Sequence, residues 1–336
     1  MEHRSTISSA DNQWICSGDL AGEEVCGEML LLSGGSSGTE VSEESGRSID
    51  ATATATKVQF NFVTEEEEEE EEGNDVEEQV LPNSPISITN PEISILSPGR
   101  IKSRPFVSVI CPTYKRRRFL PNMIKQFNYQ TYPQSNMELV IIDDSPESNA
   151  DIIPPQENIR YIYIPEHINL GYKRNLLNKA AIGDIIVCFD DDDYYSPERV
   201  AHAVTKLEST GAQIVGSSVI HVYYTHLDKI YELGPYGKNH ATNGTFAYTR
   251  QYLANHSYID TKSKAEEAHF TNNFTEKMPQ LDPHKVMVCI SHQNNTVDKV
   301  KFVKTGKLIP TKLQRFFKIN DKEMISLIKN YSSLQM

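Results

Sequence analysis

The sequence predicts an α/β fold in which helices cover both faces of a mainly parallel, doubly wound central sheet. Between residues 105 and 212, short apolar runs rich in β-branched residues alternate with stretches of helical periodicity. These runs are almost continuously hydrophobic, as expected of strands that are buried on both faces. Polar residues follow three of the runs at the point where each ends.

The elements follow from local patterns along the chain. Four strands are predicted, at residues 106–111, 138–142, 159–164 and 185–189, the first of them as a buried strand. Pro112 is expected to stop the first strand. Helices are predicted at residues 119–130, 170–181 and from Ser196, an N-cap followed by Pro197, to about Leu207. Looser alternation further on predicts strands at 213–224, 229–233 and 286–290, and a short helix at 321–331.

Composition divides the chain into three parts. Residues 1–100 carry 22 acidic and 4 basic side chains, whereas the remainder carries 24 acidic and 29 basic ones. The acidic part cannot bury enough apolar surface to offset its ordering entropy. We therefore predict a disordered tail at 1–104, a folded domain at 105–310 and a C-terminal extension with a short helix at 311–336.

Charge and hydropathy restrict the partners and the compartment. The mildly basic domain suits a small anionic ligand, but no basic stripe with interleaved aromatic residues predicts a nucleic-acid partner. No signal peptide and no run of about 20 apolar residues occurs, so we expect no membrane span and a cytoplasmic or virion-associated location. The five scattered cysteines indicate reduced thiols rather than disulfides or zinc.

The most informative feature is the run of four aspartates at residues 190–193, directly after the apolar run 185–189. Neighbouring carboxylates repel one another unless a cation lies between them, and Mg²⁺ and Mn²⁺ prefer oxygen ligands. In an extended segment Asp190 and Asp192 would point the same way and share that cation. A solvated acidic turn is the alternative.

Two other strand ends carry polar groups. Thr113 and Tyr114 follow the first strand, and Asp143 and Asp144 follow the second. Ligands of doubly wound sheets bind outside the carboxyl ends of the strands, so the three ends are expected to form one site. A carboxylate there can accept hydrogen bonds from a nucleobase or a ribose, unless it belongs to a plain Asp-rich turn.

A basic helix start is the next candidate. Gly171 frees the backbone at the start of a helix, whose N–H groups favour anions. Lys173 and Arg174 add charge that can meet a diphosphate. An ordinary helix start with a basic surface is the alternative.

Three features further along complete the candidates. Glu266 or Glu267, in a predicted helix, could deprotonate an acceptor hydroxyl or simply face solvent. His292 ends the last apolar strand, where it binds metal or phosphate or is a plain rim histidine. Gly244 suggests a close backbone approach or a turn.

Together these residues resemble the family-2 glycosyltransferases of the GT-A fold over about residues 105–295. The resemblance rests on the order and spacing of four segments, residues 107–114, 140–145, 169–175 and 189–198. It implies a GT-A (Rossmann-like) nucleotide-diphospho-sugar transferase fold. It also implies inverting transfer of a sugar from a nucleotide donor, most simply a UDP-sugar, to a glycan or protein acceptor, with Mn²⁺ or Mg²⁺ as cofactor.

The resemblance also implies roles for individual residues. The implied nucleotide-sugar-binding residues are Thr113, Tyr114, Asp144, Arg174, Asp190 and Asp191. Asp192 of the Asp-x-Asp motif would bind the metal, with His292 as a second candidate ligand. Glu267 would be the general base, although it replaces the commoner aspartate and its neighbour Glu266 stays open for the role.

Two rival functions fit parts of the pattern. A nucleotidyltransferase also uses a doubly wound sheet, aspartates and Mg²⁺, but it would carry a glycine-rich loop after the first strand. Here that turn, residues 112–118, is basic and has no glycine. A non-catalytic carbohydrate- or nucleotide-binding module is the second rival, against which the acidic cluster and the carboxylate near 267 argue.

Overall fold

The computed structural model describes residues 6–9, 12–15, 103–293, 295, 299–313, 322–329 and 331. The chain divides into two units, Met1–Glu77 and Glu78–Met336. In the first unit, β1 (Thr6–Ser9) pairs antiparallel with β2 (Asn12–Ile15). Apart from these strands and residues 103–104, the predicted acidic tail lies outside the described residues.

The other described elements belong to the second unit. Its strands are β3 (Val107–Thr113), β4 (Met137–Asp143), β5 (Ile159–Tyr163), β6 (Ile185–Cys188), β7 (Tyr194–Tyr195), β8 (Ile214–Val215), β9 (Ile220–Tyr224), β10 (Lys229–Leu233), β11 (Ala247–Thr249), β12 (Met287–Ser291) and β13 (Lys307–Ile309). Its α-helices are α1 (Leu120–Asn128), α2 (Leu170–Ala180), α3 (Arg199–Thr210), α4 (Glu267–Phe270) and α5 (Lys322–Lys329). No helix in the described part of the chain combines the length and apolar character needed to cross a membrane.

The larger sheet has six strands in the order β5-β4-β3-β6-β11-β8. The first four are parallel, and β11 pairs antiparallel with both β6 and β8. Every residue of β3, β4 and β6 is buried, as expected of strands covered on both faces. The prediction of a mainly parallel central sheet is confirmed.

Helices cover both faces of this sheet. Phe127 of α1 and Leu207 of α3 belong to one core cluster, whereas Leu176 and Leu177 of α2 belong to another. The parallel strands therefore all end at one edge, between two helical layers.

The smaller sheet has the order β13-β10-β9-β12-β7, in which only the β9–β12 pair is parallel. Because β7 follows the aspartate run directly, that run connects the two sheets. The C-terminal helix α5 packs here: Ile328 and Tyr331 share a core cluster with Phe119 and Val288.

The first strand continues through Pro112 to Thr113 instead of stopping at the proline. The carbonyl of Ile110 accepts the N–H of Phe189 at 3.0 Å, so the backbone polar groups of Ile110 point towards β6. Those of Pro112, two residues further, point to the same side, but Pro112 lies beyond the last residue that pairs with β6. Its missing N–H therefore breaks no ladder hydrogen bond.

Three other boundaries differ from prediction. The predicted strand 213–224 is two strands, β8 in the larger sheet and β9 in the smaller one, because the chain changes sheet between them. Helix α3 begins at Arg199, two residues after Pro197. The predicted helix around residues 266 and 267 is only the single turn α4.

Candidate active site

The aspartate run forms a turn between β6 and β7, not the predicted extended segment. Asp191, Asp192 and Asp193 are buried, and the side chain of Asp190 is 30% exposed. A turn removes the two-residue alternation of a strand, so Asp190 and Asp192 do not form the matched pair that we expected. They contact different cations.

Arg116, in the turn after β3, binds two of the four carboxylates. Its Nη1 donates to Oδ2 of Asp192 and to Oδ1 of Asp191, the latter at 3.3 Å. Thr113 Oγ1 donates to the other oxygen of Asp191 at 2.6 Å. The guanidinium lies over the ring of Phe119, 5.6 Å from its centroid. The end of β3 and the end of β6 are thereby joined.

His292 approaches Asp192 from the end of β12. Its Nε2 lies 3.1 Å from Oδ2 of Asp192, and Asn295 Nδ2 donates to the same oxygen at 3.2 Å. The imidazole is fully buried, stacked on Phe119 with Tyr331 edge-on to it. The structure therefore brings together Asp192 and His292, the two predicted metal ligands.

Asp193 faces the smaller sheet. Its Oδ1 accepts the N–H of Ile290 at 2.8 Å and lies 3.7 Å from Lys299 Nζ. This carboxylate fixes the turn to β12, which carries His292 at its end.

The cluster holds more negative than positive charge. Burial raises the pKa of both Asp191 and Asp193 to about 7, and nearby cations offset this only in part. Burial also opposes ionisation of Asp192. The charges and hydrogen bonds of Arg116, His292 and Lys299 outweigh this effect and hold the pKa of Asp192 below its ordinary value. A divalent cation would relieve this imbalance.

Arg174, on α2, connects the aspartate run to the segment around residue 266. Its Nε donates to Oε1 of Glu266 at 2.8 Å and its Nη2 to Oδ1 of Asp190 at 3.4 Å. The residue is 4% exposed, and within the described residues its buried Nη1 has no hydrogen-bond partner. Arg174 thus keeps one donor for a ligand.

The two glutamates lie in different surroundings. Glu266 precedes α4 and is buried against Arg174, whereas Glu267 is the first residue of α4 and is half-buried. Glu266 thus joins the network of Arg174 and Asp190.

The predicted nucleoside-binding residues meet at the ends of β3 and β4. Asp144 binds Lys173 Nζ through Oδ1, and its Oδ2 lies 2.9 Å from His167 Nδ1 and accepts a backbone N–H at 2.9 Å. Tyr114 stacks on His167 with ring centroids 3.8 Å apart. Lys173 also donates to the carbonyl of Thr113 at 3.1 Å. The ammonium of Lys173, expected to meet a diphosphate, is thus committed to Asp144.

Asp143, by contrast, stabilises its own loop. It accepts hydrogen bonds from Ser145, Asn149 and Tyr161, at distances of 2.5 to 2.9 Å. The alternative of an Asp-rich turn holds for this residue.

The expectation that the start of α2 binds an anion through its N–H groups is wrong. Leu170 N donates to Ser263 Oγ at 3.4 Å and Gly171 N to the carbonyl of Lys262 at 2.8 Å. A Cβ on Gly171 would lie 2.0 Å from the carbonyl oxygen of Ile259. The glycine is needed because a loop of the protein itself crosses the helix start.

A short turn at Asn243–Thr245 closes the site beside Asp190. A Cβ on Gly244 would lie 2.6 Å from Oδ2 of Asp190, so both the turn and the close approach are present, and the approaching group is a side chain of the protein itself. Fully buried Arg199 holds this turn by donating Nη2 to the carbonyls of the two residues after Gly244.

The donor set for a metal is small. Across the residues described, no group of three or more His, Cys, Asp or Glu side chains could hold a metal ion. The groups that do converge are one carboxylate and one imidazole, those of Asp192 and His292. Mg²⁺ is commonly bound by one or two carboxylates and completed by water and substrate phosphates. The residues present therefore fit a metal that is shared with a phosphate ligand.

Sequence reasoning did not assign Arg116, Asn295 or Lys299 to the site. The one available signal was the basic run 115–118, directly after the polar end of β3. Asn295 and Lys299 follow the last predicted strand, where no periodicity or motif marks them.

One protein family and several curated proteins are similar in sequence to this chain. The family model described as Glycosyl transferase family 2 matches residues 108–292. A putative colanic acid biosynthesis glycosyl transferase, WcaA of Escherichia coli, is 33% identical over 30% of this chain and 37% of its own length. The poly(ribitol-phosphate) beta-N-acetylglucosaminyltransferase TarS of Staphylococcus aureus is 25% identical over 32% of this chain and 20% of its own. This chain spans well under half the length of these curated relatives.

Two solved structures overlap slightly more than half of this chain at low sequence identity. The mannosyltransferase PcManGT of Pyrobaculum calidifontis, in complex with GDP-Man and Mn²⁺, has a TM-score of 0.46 at 17% identity, over 57% of this chain and 59% of that one. TarS of S. aureus in complex with UDP-GlcNAc has a TM-score of 0.47 at 17% identity, over 56% and 60%.

Proposed function

The chain belongs to glycosyl transferase family 2 and has its GT-A fold, and on that premise we propose that it is a metal-dependent, inverting glycosyltransferase. It moves a sugar from a nucleotide diphosphate donor to a hydroxyl acceptor. The observation that carries the proposal is the 3.1 Å approach of His292 Nε2 to Oδ2 of Asp192. A carboxylate and an imidazole from two sheets meet there, at the edge where such sheets bind ligands.

In this proposal Asp192 and His292 hold Mn²⁺ or Mg²⁺ together with the donor diphosphate. The metal, when bound, stabilises the negative charge that develops on the leaving diphosphate. Arg174 acts in the same way through its buried Nη1 donor. Its contacts with Glu266 and Asp190 hold the guanidinium in place before the donor arrives.

The nucleoside binds at the ends of β3 and β4. Tyr114 and His167 form a stacked pair there, and Asp144 lies behind them. Both oxygens of Asp144 are engaged, so a base or ribose donor reaches Asp144 by replacing His167, whose side chain is 36% exposed. Asp190 and Asp191 serve the sugar and the ribose in this proposal, and Asp191 accepts a hydrogen bond from Thr113.

Glu267 is the proposed general base. Glu266 is engaged by Arg174, and in this proposal the neighbouring half-buried carboxylate of Glu267 accepts the proton of the acceptor hydroxyl. The acceptor oxygen then attacks the anomeric carbon from the face opposite the diphosphate, which inverts the configuration. Such base assistance is worth about 10²–10⁴-fold in rate.

The test is donor turnover by the purified protein. A panel of UDP- and GDP-sugars, including UDP-GlcNAc, is incubated with Mn²⁺, with Mg²⁺ and with EDTA, and release of nucleoside diphosphate is measured. We expect release from at least one donor only when a divalent cation is present. Donor binding without any release would indicate a binding module, and release of sugar 1-phosphate would indicate nucleotidyl transfer. Once an acceptor is found, NMR of the product's anomeric configuration tests inversion.

A further inference from the structure

One oxygen of the cluster has more partners than it can keep when a metal binds. Oδ2 of Asp192 contacts Arg116 Nη1, His292 Nε2 and Asn295 Nδ2. A carboxylate oxygen has two lone pairs, so these three contacts already saturate it. A metal ion on Oδ2 therefore has to displace at least one of them.

Charge decides which partner leaves. A neutral imidazole can turn from hydrogen-bond partner to metal ligand, and the amide of Asn295 carries no charge. The Arg116 guanidinium is always protonated, and two cations on one oxygen repel each other strongly in a buried site. Arg116 is the partner that is incompatible with a divalent cation.

We propose that Arg116 is an internal counter-ion that occupies the metal position in the free protein and passes to the donor diphosphate when metal binds. The proposal rests on the proposed function, since it assumes that Asp192 receives a metal and that a diphosphate follows. It assigns Arg116 two successive partners: the carboxylate of Asp192, then the phosphate oxygens of the donor.

The local geometry suits this exchange. Lys115 has a φ of 52° and its N–H donates to Ser145 Oγ at 2.7 Å, so the backbone beside Arg116 is fixed and only the side chain has to turn. The 3.3 Å contact with Oδ1 of Asp191 can persist while the guanidinium leaves Asp192. Arginine binds phosphate oxygens bidentately, so the released group remains beside the metal as a ready diphosphate ligand.

The alternative is a permanent role, in which Arg116 replaces the metal throughout and the site needs no divalent cation. The two possibilities differ in the wild-type protein. An exchanging Arg116 competes with metal but still lets it bind, and then assists the diphosphate, whereas a fixed Arg116 leaves no room for metal, so the wild type would not bind Mn²⁺ at all.

The experiment compares Arg116→Gln with the control Arg117→Gln. Arg117 is in the same turn, but it is exposed and pairs with Asp151 at the surface. Binding of Mn²⁺ alone is measured by EPR of the free ion, and binding of inorganic pyrophosphate is measured by calorimetry at saturating Mn²⁺. Pyrophosphate presents the same anion whatever the base of the natural donor is.

We expect Arg116→Gln to bind Mn²⁺ alone at least about tenfold more tightly than the wild type, and pyrophosphate about tenfold more weakly. Arg117→Gln should stay within about twofold of the wild type in both, and Arg116→Lys should restore most of the competition with Mn²⁺. Thermal melting by circular dichroism shows that each variant is folded. A general loss of structure would weaken the binding of both Mn²⁺ and pyrophosphate. Tighter Mn²⁺ binding together with weaker pyrophosphate binding is therefore specific to the exchange.

Unchanged or weaker Mn²⁺ binding by Arg116→Gln overturns the proposal, as does unchanged pyrophosphate binding. If wild-type turnover is nonetheless lost in EDTA, the proposed function stands and only the role of Arg116 fails. If no variant binds Mn²⁺ and turnover persists in EDTA, the metal assignment fails together with the exchange.

Discussion

The buried ion pair between Arg174 and Glu266 allows a prediction about stability. A single variant gives the loss of stability, and a double variant gives the interaction energy between the two side chains. Arg174 is 4% exposed and Glu266 is 5% exposed, and the guanidinium also reaches Asp190. Replacing Arg174 with methionine keeps much of the side-chain volume but leaves the carboxylate of Glu266 buried and unpaired.

The cost follows from that unpaired charge. Breaking a buried pair by removing one partner costs about 3–5 kcal/mol, whereas removing both charges is often nearly neutral. We expect Arg174→Met to lower the free energy of unfolding by about 3–5 kcal/mol, a large part of the ~5–15 kcal/mol typical of folded proteins. The double variant with Glu266→Gln should recover about half of that loss, because Asp190 still lacks its cation.

The assay is urea unfolding followed by far-UV circular dichroism. Tryptophan fluorescence does not serve, because the single tryptophan, Trp14, lies in the first unit of the chain. Lys179→Met, an exposed change on the same helix, is the matched control and should stay within about 0.5 kcal/mol of the wild type. A loss below about 1 kcal/mol for Arg174→Met, or a double variant as unstable as the two single changes summed, would refute the reasoning.

The remaining predictions concern the metal, the base and pH. Asp192→Ala should abolish transfer and Mn²⁺-dependent donor binding. Turnover that still responds to Mn²⁺ would show that Asp192 is not the metal ligand. Glu267→Gln should lower turnover about 10²–10⁴-fold while donor affinity is retained. If Glu267→Gln is fully active and Glu266→Gln is inactive, the general base is Glu266. Because the pKa of Asp191 and Asp193 is raised to about 7 from 3.8, the metal-free folded state binds more protons than the unfolded chain between about pH 4 and 7. The midpoint of urea unfolding in EDTA should therefore fall as pH rises through that window. A rising midpoint would contradict the raised pKa of Asp191 and Asp193.

Sequence patterns predicted the parts of this protein that depend on local periodicity. The strands β3 to β6 and the helices α1 and α2 fall within a few residues of their predicted positions. Parallel strands end at one edge whatever their length, so the approach of Thr113 to Asp191 and, through Lys173, to Asp144 also followed from the pattern.

Side-chain partners could not be predicted in the same way, because they depend on rotamers and on contacts far apart in sequence. Arg116 and Asp192 are 76 residues apart, and Asp192 and Asn295 are 103 apart. The anion-binding role expected of Gly171 failed for the same reason. Nothing local indicates that the loop around Ile259 crosses the start of that helix.

The last helix gives the chain a vulnerability that its composition does not suggest. Tyr331, just beyond α5, lies edge-on to both Phe119 and His292, and its hydroxyl accepts a hydrogen bond from Asn122 at 2.6 Å. A stop codon near residue 310 would leave every predicted donor- and metal-binding residue in place. It would also remove Tyr331, which packs edge-on against the buried imidazole of His292, so such a nonsense allele is expected to behave as a null.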